Sequence, residues 1–143
     1  MTIFDRVEAA VSDRTERHKS MQHPDGSWHY CFEGPVMDDA FTIILLRSLR
    51  VSGCEPLILK LANRLKSLQR ENGAWNVYPD ETDGNLSATV QAYTALLYSG
   101  HANYTTDFIK TAEAFILSKG GLNHTDFLTK VMLAMNGCFP WPK

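Results

Sequence analysis

The sequence lacks most of what would assign it to a charged, secreted or membrane-spanning class. Its 14 Lys and Arg residues nearly balance 16 Asp and Glu, leaving a net charge of −2. That is no electrostatic footprint for nucleic acid or an acidic membrane surface. Long apolar runs are missing: the longest uncharged one, Ala40 to Leu46, falls far short of the ~20 residues that cross a bilayer. The first residues carry Asp5 and Glu8 and no apolar core, which predicts no secretory leader. Cysteine is scarce, with Cys31, Cys54 and Cys138 odd in number and far apart. This excludes a disulfide framework and predicts small buried thiols in the reducing cytoplasm. The sequon-like triplets at Asn85, Asn103 and Asn123 therefore read as turn and helix-cap residues. The rest is ordinary: 44% hydrophobic and 21% charged over 143 residues. That argues for one modest globular domain over residues 1–143 with a core of its own.

Against this background one pattern recurs. Gln22-His-Pro-Asp-Gly-Ser-Trp28 returns as Gln69-Arg-Glu-Asn-Gly-Ala-Trp75, an offset of 47 residues with the shared frame Gln-x3-Gly-x-Trp. A further 47 lands on Ile116, Gly120 and Leu122, where only the glycine persists. Repeats of this length are the mark of stacked supersecondary units.

Helical periodicity fills the intervals. Leu57, Ile58, Leu61, Leu65 and Leu68 form one apolar stripe opposite Lys60, Arg64 and Arg70, an outer helix with one wet face. Phe41 to Leu49 is apolar on nearly every side. It predicts a helix buried all round, begun by Asp38 and Asp39, with Arg47 and Arg50 suiting its C-terminal dipole. Leu86 to Tyr98 repeats the apolar type and ends at Gly100; Phe108 to Ile116 repeats the striped type and stops at Gly120-Gly121. Phe127 to Met135 is a third apolar helix, ended by Asn136-Gly137, and a first helix spans about Ile3 to Met21 with the sparse stripe Phe4, Val7, Val11 and His18. The prediction is all-α: about three stacked αα-hairpins forming a partial α/α toroid, with striped helices outside and apolar helices lining an axis. Tyr30-Cys-Phe and Trp75-Asn-Val-Tyr could pair briefly.

The repeated frame has a physical reading. Gly26 or Gly73 permits a positive φ in the turn after the outer helix, which a side chain would penalise by roughly 1 kcal/mol. Gln22 or Gln69 can bond exposed backbone groups of the next hairpin. The indole of Trp28 or Trp75 offers a large flat face that needs a single hydrogen-bond partner. Together these six residues read as structural bolts. No catalytic group is read from the residues: Asp38-Asp39 suit a helix N-terminus, and Tyr78 to Asn85 reads as a loop before a capped helix. His18, His23, His29 and Cys31 crowd together, but their spacing matches no standard zinc pattern, so no metal site and no cofactor are expected.

The Gln-x3-Gly-x-Trp frame resembles the QW repeat of the class II triterpene cyclases, the squalene–hopene, sporulenol-type and oxidosqualene cyclases. Further segments resemble the bacterial members: Cys31 to Met37, Tyr78 to Tyr93, Gly120 to Lys130 and Asn136 to Pro142. Phe32-Glu-Gly-Pro35 and Asn85 to Gln91 lean toward the sporulenol-type branch. The resemblance covers nearly the whole chain. It implies two α/α-barrel domains around an apolar cavity in a much longer protein, with this chain at the start of the barrel that lacks the acid. In that family an Asp-x-Asp-Asp motif protonates the alkene, and this sequence has none. The resemblance also implies a cavity-wall position at Leu128, where relatives carry an aromatic ring; a core role for Leu128 is the other reading.

The expectation is thus the N-terminal scaffold portion of a cyclase that makes cyclic triterpenoids, inactive alone. Its substrate would be an apolar C30–C35 isoprenoid, met only in a full-length or complemented enzyme. A missing remainder is the implied partner, self-association through exposed inner helices is expected, and full-length relatives sit peripherally on the membrane. Half of a split cyclase and a non-catalytic helical interaction module are the alternatives.

Overall fold

The computed structural model describes residues 2–26, 35–78 and 80–142. Two units emerge, Met1–Phe32 and Glu33–Lys143. The first holds α1, Ile3–Ser20, opened by a capping box in which Asp5 N–H donates to Thr2 Oγ1 at 3.2 Å and Thr2 N–H donates to Asp5 Oδ2 at 2.6 Å. No residue of α1 is buried, and Phe4, Val7 and Val11 are all exposed. Its stripe does not make a core.

The second unit carries α2 (Pro35–Ser48), α3 (Glu55–Ser67), α4 (Leu86–Ser99), α5 (Asp107–Ser118) and α6 (Phe127–Met135), with a short 3-10 turn at Leu122–His124. Among the described residues there is no strand; Trp75 and Asn85 make one isolated antiparallel bridge. Contacts between helix ends give the layout. Arg47 at the end of α2 donates to Ser99 O at the end of α4. At the other end of α4, Ser87 Oγ accepts from Asp126 N–H at the start of α6, and Tyr98 Oη donates to Asn136 O beyond it. So α2, α4 and α6 run parallel in one layer. Arg64, late in α3, reaches Asp39, early in α2, so α3 returns antiparallel in the second layer, which α5 continues. This alternation is the two-layer arrangement of an α/α toroid.

Helix α4 is the hub, touching α2, α3, α5 and α6. It has no charged residue, and nine of its side chains are buried, Thr89, Val90, Ala95 and Leu96 among them. A helix buried on every side must be apolar on every side. Helices α3 and α5 each bury one stripe: Ile58, Ala62 and Leu65, and Ile109, Ala112, Phe115 and Ile116. Helix α2 departs from expectation. Ala40, Ile43 and Ile44 are buried, but Leu45 and, in the turn after the helix, Leu49 are 57% and 66% exposed. Leu57 and Leu68 likewise sit on the exposed margin of the α3 stripe. Among the described residues no helix is long and apolar enough to cross a membrane.

Candidate functional site

The 47-residue register survives as backbone geometry. Gly26, Gly73 and Gly120 have φ of +85°, +84° and +91°. Each donates its N–H to the carbonyl three residues back, at 2.9, 2.9 and 3.1 Å. The third copy therefore keeps the turn although its Gln and Trp are gone. That turn is part of the α5 terminus, where Gly121 N–H reaches Ile116 O and Gly120 N–H reaches Leu117 O, a Schellman closure.

The second copy forms a junction. Gln69 Nε2 donates to Gly73 O at 3.0 Å and to Phe108 O of α5 at 2.8 Å. A Cβ on Gly73 would lie 2.3 Å from Thr111 O and 2.9 Å from Ala112 N, so the glycine is required by contact as well as by φ. Trp75 is fully buried, and its Nε1 donates to Leu65 O at 2.7 Å. The indole thus ties the turn to its own helix α3, while Gln69 and Gly73 make the contact to the next hairpin. In the first copy Gln22 Nε2 donates to Gly26 O at 2.7 Å; Trp28 lies outside the described residues, as do His29, Cys31 and the Tyr30-Cys-Phe segment. Among the described residues no three His, Cys, Asp or Glu side chains converge on a metal position.

The two carboxylates at the head of α2 separate. Asp38 is exposed in the first turn, where the dipole argument applies. Asp39 is 1% exposed and accepts from both Nε and Nη2 of Arg64. Arg64 therefore does not belong wholly to the wet face of α3: it neutralises a buried acid in bidentate geometry. Arg47 stands in the last turn of α2, as expected, and also donates to Ser99 O at the end of α4; it pairs with Glu55 at 2.8 Å while Glu55 meets His101 Nε2 at 2.8 Å. The hydrogen bond from Arg47 holds the Glu55 carboxyl below its ordinary pKa.

The Asp80-to-Asp83 stretch is a folded loop. Glu81 accepts from Val77 N–H at 2.6 Å, and Arg70 and Asn72 donate to the carbonyls of Thr82 and Asp83. Asn85 closes it as N-cap of α4, accepting from Ala88 N–H at 3.0 Å. Asn103 organises a turn by accepting from Thr105 N–H at 3.0 Å. The thiols are less buried than their small size suggested: Cys54 is half-buried and Cys138 exposed, both free.

Leu128, the position expected at a cavity wall or in the core, is 51% exposed on α6 and outside the core. On the same helix Thr129 is fully buried and accepts from Gln91 Nε2 at 2.7 Å. A hollow of about 550 Å³ lies between the ends of α4, α5 and α6. Tyr93, Leu97, Ile116, Leu122 and Leu133 wall it, with Glu113 at its edge. Burial pushes the Tyr93 phenol up, with the Glu113 charge adding to it. Sequence reading missed this hollow because its walls come from residues of three helices that stand far apart in the chain.

Comparison with known proteins follows the same lines. Residues 11–143 match the squalene-hopene cyclase N-terminal domain. The chain is 50% identical over 142 residues to sporulenol synthase of Bacillus subtilis strain 168, covering 99% of this chain and 22% of that protein. It is 36% identical over 143 residues to squalene–hopene cyclase of Alicyclobacillus acidocaldarius, covering 96% and 22%. It is 33% identical over 135 residues to dammaradiene synthase of Dryopteris crassirhizoma, covering 94% and 19%. The chain thus spans about a fifth of the length of these relatives. No solved structure gives a significant match.

Proposed function

The chain belongs to the squalene–hopene cyclase N-terminal domain family, and on that footing we propose that it is scaffold for a sporulenol-type terpene cyclase. Residues 1–143 would form the incomplete N-terminal α/α-barrel domain of that enzyme. The observation that carries this reading is the family match over residues 11–143 together with 50% identity to sporulenol synthase. The role is to hold parallel apolar helices in register, so that the layer of α2, α4 and α6 contributes wall to a water-poor cavity. Such a cavity suits carbocation chemistry because no nucleophilic water quenches the cation. The substrate class is an apolar C30–C35 isoprenoid.

The acid is a separate matter. Alkene protonation needs a strong, positioned carboxylic acid. The sequence holds no Asp-x-Asp-Asp, and the buried Asp39 is already committed to Arg64. The chain alone is therefore inactive, and its partner is polypeptide that supplies the acid-bearing remainder. Leu45, Leu128 and Met135, exposed on layer helices, also favour self-association when that remainder is absent. Free thiols at Cys54 and Cys138 suit a cytoplasmic protein.

The test combines the purified chain with the part of Bacillus subtilis sporulenol synthase that follows its matched 142 residues. Tetraprenyl-β-curcumene and squalene are supplied to the mixture and to each part alone. Cyclised product from the mixture only is expected. Product from the chain alone, or none from a mixture that forms a stable complex, would overturn the proposal.

A further inference from the structure

The chain holds two Asn-Gly steps, Asn72-Gly73 and Asn136-Gly137. Such a step carries its own reaction. The glycine nitrogen attacks the asparagine side-chain carbonyl carbon next to it, and the missing Cβ lets the peptide plane turn into line. By sequence the two steps are equal. By exposure Asn72, on the surface, ranks ahead of the half-buried Asn136. The geometry around them reverses that order.

At Asn72 every moving part is held. Oδ1 accepts from Ala74 N–H and Nδ2 donates to Asp83 O, both at 3.1 Å. Gly73 N–H donates to Arg70 O at 2.9 Å. Gly73 is also pressed so closely on α5 that a Cβ there would meet Thr111 O at 2.3 Å, so turning its peptide plane drives it into backbone that cannot rotate away. Asn136 stands just outside α6 as its C-cap, and nothing lies within 4 Å of where a Cβ on Gly137 would stand. Its Nδ2 donates to Met132 O at 2.8 Å and Gly137 N–H donates to Ala134 O at 3.0 Å. These bonds belong to a helix end, which opens more readily than a packed junction. The remaining contact favours the reaction. Ser48 Oγ, at the end of α2, donates to Asn136 Oδ1 at 2.9 Å, and Oδ1 is the atom that takes the negative charge when the carbonyl carbon is attacked.

We propose that Asn136-Gly137 is a spontaneous deamidation site, with Ser48 polarising the reacting carbonyl, and that the fold protects Asn72-Gly73. The Gly137 nitrogen gives its proton to solvent and bonds to Asn136 Cγ; the Cγ–Nδ2 bond breaks, ammonia leaves and a succinimide closes. Water then opens the ring at Cγ, giving Asp, or at the main-chain carbonyl carbon, giving isoaspartate. One water is consumed for each ammonia released, and nothing is oxidised or reduced. Either product puts a carboxylate between the ends of α2 and α6 and removes the donor to Met132 O. Isoaspartate also reroutes the main chain through Cγ. Asn136 O then leaves the place where Tyr98 Oη reaches it at 3.3 Å, and Cys138 N–H loses its 2.8 Å bond to Leu133 O. This chemistry is independent of the scaffold reading above.

The test incubates the whole chain at mildly alkaline pH, folded and in urea. Tandem mass spectrometry of the tryptic peptides 71–110 and 131–143 follows the amide-to-acid mass gain at Asn72 and at Asn136. In the folded chain Asn136 is expected to convert at least about tenfold faster than Asn72, and in urea the two rates are expected to agree within about threefold. Gly137→Ala, folded by circular dichroism, is expected to slow Asn136 at least about tenfold. Ser48→Ala is expected to slow it about threefold and Ser48→Thr to restore it; a hydroxyl that only steadied the end of α6 would give a faster reaction when removed. Asn72 converting as fast as Asn136 in the folded chain overturns the proposal, as does a rate ratio unchanged by urea. Gly137→Ala or Ser48→Ala reacting as fast as wild type overturns it too.

Discussion

Replacing Gly73 with alanine separates two reasons for a glycine. The first is backbone conformation: at φ +84° a Cβ costs about 1 kcal/mol. The second is space. The new methyl would sit 2.3 Å from Thr111 O, 2.4 Å from Thr111 C and 2.9 Å from Ala112 N, where ordinary contacts are about 3.5–4.0 Å. These are backbone atoms of α5 and cannot rotate away, so the turn and α5 must separate by about 1 Å. That movement would stretch the 2.8 Å bond from Gln69 to Phe108 O out of hydrogen-bonding range, adding its loss to the overpacking cost of about 1–3 kcal/mol. The expected total is about 2–4 kcal/mol. Gly137→Ala is the matched control, since it has φ +72° and nothing within 4 Å of a built Cβ, and should cost only about 1 kcal/mol. Urea unfolding followed by helical circular dichroism measures both. If the two variants lose the same stability within about 0.5 kcal/mol, the reasoning that Gly73 is a contact residue is wrong.

Two further outcomes follow from the polar contacts. Arg64→Leu leaves the buried Asp39 carboxylate without its partner and should cost about 2 kcal/mol, toward the low side for a buried pair because the Arg64 side chain is 53% exposed; adding Asp39→Leu should recover part of that loss, and a double variant no more stable than Arg64→Leu would count against the pairing. The Glu55 carboxyl is held below its ordinary value of 4.5 mainly by Arg47, so its contribution is present above that pH and fades as pH falls through the lower folded value; Glu55→Gln should therefore narrow its stability gap to wild type on acidification below about pH 4.5, and a gap that stays constant from neutral to acid pH would refute the assignment.

The reach and limit of the sequence can be read off particular residues. Helix boundaries at Phe127 and Met135, and the stop at Gly100, were legible because caps and glycines act locally. The 47-residue repeat was legible because the turn needs a positive φ three times over, and only glycine adopts it freely. Asp39 was not legible. Beside Asp38 it looked like one of two N-terminal carboxylates, and its burial depends on Arg64, 25 positions away. Arg47 was legible as a cation for its own helix end, but its second role at the end of α4, 52 positions on, was not. The hollow between α4, α5 and α6 was illegible for a related reason: its walls come from three helices whose approach no local pattern specifies.

The sequence by itself determined the helix alternation, the turn after each outer helix and the family, since all three are written in local pattern and spacing. Only the tertiary structure decided which carboxylate is buried, which carbonyl each long side chain reaches and where the hollow lies. Those outcomes depend on distances between helices that meet in space while standing far apart in the chain, and hydrophobic periodicity specifies a face without naming its neighbour.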